Sequence, residues 1–190
     1  NTGITLPSAG TQTGYDFAGW SETLNGSAIS GAYSATANVT LFAKWTAISY
    51  NVIYNRGSIA GTALTTLPAT FPSDTTSTVS TVFNLDNTIT SEIDVSGTRY
   101  VFTGWKESGT NSVYKGSDPY RMSAAPVTFT AQWVAIYTVS YILNGGSVLA
   151  PAVLPPDVTR VDTYVENLTN VVPVRAGFIF AGWKDQAGNL

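Results

Sequence analysis

Apolar and polar residues alternate along short stretches of this chain, and one alternating phrase is used three times. It reads Tyr15-Asp16-Phe17-Ala18-Gly19-Trp20, then Tyr100-Val101-Phe102-Thr103-Gly104-Trp105, then Phe178-Ile179-Phe180-Ala181-Gly182-Trp183. A period of two is the signature of a half-buried strand. On strict alternation Tyr15, Phe17 and Gly19 share one face, and Asp16, Ala18 and Trp20 share the other. Glycine inside a strand marks a bulge or a place where something packs on bare backbone. An aromatic ring is therefore expected over Gly19, Gly104 and Gly182.

Two further alternating signatures accompany the phrase. Val39-Thr40-Leu41-Phe42-Ala43-Lys44-Trp45 returns as Val127-Thr128-Phe129-Thr130-Ala131-Gln132-Trp133. Tyr50-Asn51-Val52-Ile53-Tyr54, ending in Asn55-Arg56-Gly57, returns as Tyr137-Thr138-Val139-Ser140-Tyr141, ending in Asn144-Gly145-Gly146. Each predicts a strand, with the glycines closing it in a turn. Asn25-Gly26 predicts a hairpin turn.

Between the Tyr-x-Val-x-Tyr strand and the next phrase lies a variable segment. Residues 58–99 are rich in Thr, Ser and Pro. Residues 155–170 predict a short helix: Pro156 suits a first helical position, Asp157 adds favourable charge, and Val158, Val161, Val165 and Leu168 follow at spacings of three and four. The expected class is α+β, mostly β.

The phrase tryptophans Trp20, Trp105 and Trp183 stand 85 and then 78 positions apart. Near-constant spacing means a tandem array of one module. The predicted organisation is a partial first repeat over 1–46, a complete repeat over 47–134 and a partial third repeat over 135–190. The first lacks its opening strand, and the third stops before its closing strand.

In their joint order, these signatures resemble the Listeria–Bacteroides repeat, or internalin B-repeat, family. Its pattern opens on Tyr-x-Val-x-Tyr ending in Asn-Gly-Gly, continues through Gly-Tyr-x-Phe-x-Gly-Trp and closes on Thr-Leu-x-Ala-x-Trp. Residues 137–146, 14–20 and 40–45 fit these three parts. Asn55-Arg56-Gly57 and the long segment 58–99 depart from it. The resemblance implies a small β-grasp-like module, a mixed sheet packed on one helix, in secreted or surface proteins of bacteria. It brings no catalytic residue with it.

Composition narrows the function. Charged residues are 11% of the chain, against roughly 25% in ordinary soluble domains. The net charge is −3, with no basic face to neutralise phosphates, so nucleic acid is not an expected partner. The sequence contains no Cys and no His. With few Lys and many Thr and Ser, that fits an exported, extracellular bacterial protein. No apolar stretch reaches the ~18–20 residues of a membrane-spanning helix.

Candidate chemistry is sparse. Asp86, Glu92 and Asp94 are the nearest carboxylates in sequence. They could serve glycoside hydrolysis or Ca²⁺ binding, but they lack ordered ligand spacing and read more simply as solvated loop charges. Trp20, Trp45, Trp105, Trp133 and Trp183 could form a sugar platform. Their fixed module positions favour packing instead. Tyr114 or Tyr120, in a variable stretch, would suit a sugar better. Lys44, Lys106, Lys115 and Lys184 raise the question of a Lys–Asn cross-link, against ordinary exposure.

The structural signature residues are therefore Phe17, Gly19, Trp20, Trp45, Tyr50, Tyr54, Phe102, Gly104, Trp105, Trp133, Tyr137, Tyr141, Phe180, Gly182 and Trp183. No catalytic, metal or cofactor site is expected. The predicted role is a non-enzymatic stalk or adhesive segment. Its partners would be neighbouring repeats, copies of itself, or a host or surface protein or glycan. Unpaired ends raise head-to-tail strand addition into filaments as a hypothesis, but the phrase occurs at both ends, so the halves overlap, which favours ends that are simply where the sequence was cut. The alternative is a carbohydrate-binding array with exposed aromatics.

Overall fold

The computed structural model describes residues 3–66, 68–156, 158–161 and 171–188. In chain order the strands are β1 (Tyr15–Ser21), β2 (Phe42–Ala47), β3 (Ser49–Asn55), β4 (Ser58–Ile59), β5 (Thr62–Ala63), β6 (Thr75–Thr78), β7 (Val82–Asn84), β8 (Ile93–Val95), β9 (Thr98–Glu107), β10 (Val113–Tyr114), β11 (Pro119–Arg121), β12 (Val127–Val139) and β13 (Val158–Val161).

Among the described residues there is no helix. The expected α+β class, with one short helix per module, is corrected to all-β. Where a helix was expected over 155–170, Val158–Val161 is a strand, antiparallel to the end of β12 with Ile136 opposite Val161 and Val139 opposite Val158. Residues 157 and 162–170 of that stretch lie outside the described residues. The physical reason is residue type: Val158, Thr159 and Val161 are β-branched, stiff at χ1 and better suited to a pleated surface. Their partners on β12 are largely of the same kind. Spacing of three and four does not outweigh that preference in so short a run.

The chain divides into two compact units, residues 1–91 with 102–133, and residues 92–101 with 134–190. In the first, the main sheet runs β10-β9-β12-β3-β6. It is mixed: β12 lies parallel to β3, with Val127 beside Val52 and Thr130 beside Asn55, while β3 and β6 are antiparallel. Val52, Trp105, Val127, Phe129 and Ala131 from the sheet join Leu85, Ile89, Tyr120 and Met122 in one core.

The covering layer, where a helix was expected, is a ribbon of β7 and β11. Main-chain bonds extend this ribbon at both ends, Met122 N–H to the Thr81 carbonyl and Leu85 N–H to the Asp118 carbonyl, both 2.9 Å. Buried Leu85 and Met122 contribute on the order of 1.5–3 kcal/mol each. β1 and β2 form a separate antiparallel pair, joined to the rest by Ile48 N–H donating to the Gly14 carbonyl at 2.9 Å. β4 and β5 make a small hairpin.

In the second unit, β8 pairs with the first residues of β9, Ile93 opposite Tyr100, and β13 with the last residues of β12. Isolated bridges join Ser147 to Val174 and Arg175 to Phe178. Residues 140–143 and 179–185 carry no strand.

Candidate functional site

The first copy of the repeated phrase is built on a β-bulge. Along β1, Phe17 faces Trp45 and Gly19 faces the next residue back, Lys44, so Ala18 has no partner. An extra residue of this kind breaks the period of two. Gly19 takes φ +122°, Gly104 +152° and Gly182 +136°, a backbone region that L-residues avoid.

In β1 the bulge brings the phenylalanine and tryptophan together, and the other two phrases, whose glycines share the positive φ, make the same contact. Their centroids are 5.7 Å apart for Phe17–Trp20, 4.9 Å for Phe102–Trp105 and 5.6 Å for Phe180–Trp183, each edge-on. Strict alternation had placed them on opposite faces, and the bulge overturns that expectation. Gly19 and Gly104 also do not have the aromatic ring over them that was expected. A side chain at Gly19 would meet the Ala28 Cβ, and one at Gly104 would meet the Tyr114 carbonyl of β10.

The other signature residues add to the same cluster. The second tyrosine of the opening signature packs on the phrase tryptophan, Tyr54 on Trp105 at 4.8 Å and Tyr141 on Trp183 at 5.8 Å. The closing tryptophan packs on the phrase phenylalanine, Trp45 on Phe17 at 5.5 Å and Trp133 on Phe102 at 5.9 Å. Each such pair contributes about 0.5–1.5 kcal/mol beyond its buried area. Tyr50 is half-buried against the core, while its counterpart Tyr137 is exposed.

The phrase indoles also share a hydrogen-bonding habit. Trp20 donates to the Pro7 carbonyl at 2.6 Å, Trp105 to Asp86 at 2.8 Å and Trp183 to Val171 at 3.2 Å. Trp133 donates to the Arg56 carbonyl at 2.8 Å, securing the turn after β3. Trp105 is wholly buried, and the other four tryptophans are half-buried.

One polar cluster escaped the sequence reading. Glu107, only 8% exposed, accepts hydrogen bonds from Thr110 Oγ1 at 2.5 Å, Tyr120 at 2.7 Å and Tyr114 at 3.3 Å. Burial pushes the Tyr120 hydroxyl well above its usual range, and its bond to the Glu107 carboxylate adds to that. Tyr114 is raised for the same reasons, burial first. Burial also raises Tyr54. The cluster ties the end of β9 to β11 and to the 108–114 loop. Its signal in the sequence is a carboxylate two places beyond Trp105, on the inward parity of a strand. Tyr114 and Tyr120, expected as loop aromatics for a sugar, instead pack on Phe129.

The carboxylates singled out from sequence each serve a local turn or pair. Asp86 Oδ1 accepts from Thr88 N–H at 2.8 Å and Thr88 Oγ1 at 2.7 Å. Asp94 Oδ1 accepts from Gly97 N–H at 3.0 Å, and Glu92 pairs with Arg99 at 2.8 Å. Asp86 belongs to the first unit, Glu92 and Asp94 to the second. Among the described residues no three His, Cys, Asp or Glu side chains gather to hold a metal ion. Lys44 and Lys106 are half-buried, Lys44 with Nζ 3.4 Å from the Leu24 carbonyl, and Lys115 and Lys184 are exposed.

The recurring residues thus define an all-β repeat held by one aromatic cluster that returns in each copy. The family model of the Listeria–Bacteroides repeat domain matches residues 1–44 and 137–189. The chain belongs to that family, one of repeats in bacterial surface proteins. The match leaves out 45–136, which holds the departures at Arg56 and in the long segment 58–99. A protein of Evansella cellulosilytica, provisionally named a Gly-rich membrane protein, is 30% identical over 187 residues, covering 90% of this chain and 19% of the relative. The chain therefore spans about a fifth of that relative's length. No solved structure matches. Among the described residues no helix is long and apolar enough to cross a membrane.

Proposed function

We propose that this segment is a non-enzymatic spacer in an extracellular stalk of a bacterial surface protein, and that it carries tension along the chain. The observation that supports this is the parallel pairing of β3 with β12. β3 opens the middle repeat and β12 closes it, and they lie side by side with Val52 to Asn55 against Val127 to Thr130. Force applied at the start of β3 and the end of β12 pulls parallel neighbours in opposite directions. Every bond between them is then loaded at once, in shear. An antiparallel pair pulled from adjacent ends opens one bond at a time.

The polar groups that converge on Glu107 are buried and tie β9 to β11, which favours this reading over catalysis. The tryptophans and tyrosines best placed to bind a sugar are engaged in packing and in bonds to the main chain, which weighs against a carbohydrate-binding array.

Single-molecule stretching tests the proposal. Forced unfolding is governed by the unfolding rate. Pulling through residues 49 and 139 is expected to give a discrete unfolding peak several-fold higher than pulling through cysteines placed in the exposed ends of the β8–β9 hairpin. Gradual extension without a peak would remove the mechanical role. Saturable binding to a glycan array would support the adhesive alternative.

A further inference from the structure

The sequence contains one Asp-Pro pair, Asp118-Pro119. The bond between them differs chemically from its neighbours. Proline makes it a tertiary amide, whose nitrogen, once protonated, departs more readily than an ordinary peptide nitrogen. The aspartate carries a carboxylate that can close a five-membered ring on its own carbonyl carbon. In an unfolded chain such a bond is cut slowly in acid. The fold surrounds this one with further groups.

Asp118 stands at the entry to β11, whose first residue is Pro119. Leu85, next after β7, bonds to both sides of the site. Ser117 N–H donates to the Leu85 carbonyl, and Leu85 N–H donates to the Asp118 carbonyl, both at 2.9 Å. The second bond aims a fixed donor at the carbonyl oxygen of the Asp118–Pro119 bond. Leu85 is 2% exposed, so this donor cannot move without opening the core. The carboxylate is held as well. Its Oδ2 accepts from Lys115 N–H at 2.7 Å, while Asp118 N–H reaches the Lys115 carbonyl at 3.2 Å. Ser117 sits at φ +70°, which L-residues occupy only under constraint, and its Oγ accepts from Asn87 Nδ2 at 2.7 Å. Water has access, because Asp118 is half-buried and Pro119 exposed. The other ionisable groups on the adjoining segments are Asp86, engaged by Thr88, Lys115, which is exposed, Tyr120, bonded to Glu107, and Arg121, which donates to the Ser80 carbonyl.

We propose that Asp118–Pro119 is an acid-triggered self-cleavage site. A carboxylate oxygen of Asp118 attacks the Asp118 carbonyl carbon, and the new bond closes a cyclic anhydride. Ring closure within one residue gives the attack its high effective concentration. Charge gathers on the carbonyl oxygen, where Leu85 N–H stabilises it. The bond from that carbon to the Pro119 nitrogen breaks, and the nitrogen takes a proton from the acidic solvent to leave as a secondary amine. One water then opens the anhydride and restores Asp118 with a free α-carboxylate. The sum is hydrolysis of one peptide bond, and acid drives it because the leaving nitrogen needs the proton.

The position of the cut gives it a consequence, which rests on the mechanical reading above. The covalent path from β3 to β12 runs through this bond. After cleavage β12 is joined to the first fragment only by its pairing with β3 and β9. The repeat would keep its fold at rest and part when pulled. Acid would thus turn a permanent tether into a releasable one.

Mass spectrometry of the full chain, incubated at the lowest pH at which its circular dichroism remains native, tests the cleavage with no force applied. Fragments 1–118 and 119–190 are expected, travelling together on a native sizing column and apart in urea. Cleavage is expected to be about tenfold or more faster than in the same chain unfolded by urea at that pH, a share of the roughly 10²–10³ that one fixed donor to a developing oxyanion supplies in an active site. Asp118→Asn keeps an oxygen for Lys115 N–H and is expected to abolish the cut. Cleavage no faster in the folded chain than in the unfolded one, or persisting in Asp118→Asn, would overturn the proposal. Fragments that separate without force would overturn the tether. Failure here would leave the mechanical reading standing, and failure of the stretching experiment would leave the cleavage standing.

Discussion

Replacing Gly104 by alanine asks whether the bulge sets the core. Gly104 sits at φ +152°, and a Cβ there would run into the Tyr114 carbonyl oxygen, with Val113 Cγ1 3.2 Å away. The carbonyl is backbone of β10, paired to β9 beside Lys106 and Trp105, and cannot swing aside as a side-chain tip would. The chain has two ways out. It can hold the conformation, at a strain of about 1–3 kcal/mol, and push β10 away. Or the bulge can straighten, which reverses the parity of the strand and withdraws Trp105 from its buried position. The ceiling on that route is the roughly 3–5 kcal/mol lost when a buried tryptophan is truncated. The expected loss is about 3–4 kcal/mol, a large fraction of the 5–15 kcal/mol stability of a typical domain. Gly61→Ala is the control, with φ +83° and no atom near the added Cβ; it is expected to cost about 1 kcal/mol. Urea unfolding followed by circular dichroism and tryptophan emission gives both values. If Gly104→Ala costs no more than Gly61→Ala and emission stays native, the bulge does not hold Trp105 in place.

Tyr120→Phe removes one of three hydroxyl donors from buried Glu107 and is expected to cost about 1.5–3 kcal/mol, read by the same unfolding assay. Tyr120 also makes the fold sensitive to alkaline pH. Its folded pKa is raised above an unfolded value near 10, so its contribution is complete below pH 10. Above that pH the unfolded chain releases the proton first, and stability falls by about 1.4 kcal/mol per pH unit from this residue; the fall should be shallower in Tyr120→Phe. Glu92→Gln breaks an ion pair whose side chains are both 43% exposed, and is expected to change thermal stability by less than about 1 kcal/mol, less still in high salt.

Period-two signatures located β1, β2, β3, β9 and β12, because residues of alternating character in short runs have few other ways to bury one face, but the strand they predicted over the third phrase is not there: residues 179–185 carry no strand. Three things were not legible. The bulge was invisible to alternation: Ala18-Gly19 reads as two more strand residues, and only the backbone angle and the Phe17–Trp45 register reveal that one has been added. Its trace in the sequence is the glycine, which was read as a seat for a ring when it is a requirement of the backbone itself. The helix failed for a related reason. Spacing at 158–161 counted apolar positions but ignored that they are β-branched, and that Ile136 to Val139 offered a strand edge to join. Glu107 was missed because carboxylates were sought by closeness in sequence, whereas its partners Tyr114 and Tyr120 come from beyond a turn.

The three copies together indicate how such a module is assembled. The first has the phrase and the closing strand, and makes the Phe17–Trp20 and Phe17–Trp45 contacts. The third has the opening signature and the phrase, and makes the Tyr141–Trp183 and Phe180–Trp183 contacts. The middle copy makes both sets. Neither half needs the other to form its share, so the phrase is the common centre: its tryptophan receives the opening tyrosine and its phenylalanine receives the closing tryptophan. The bulge is what allows this, since without it those two rings would face opposite sides of the sheet.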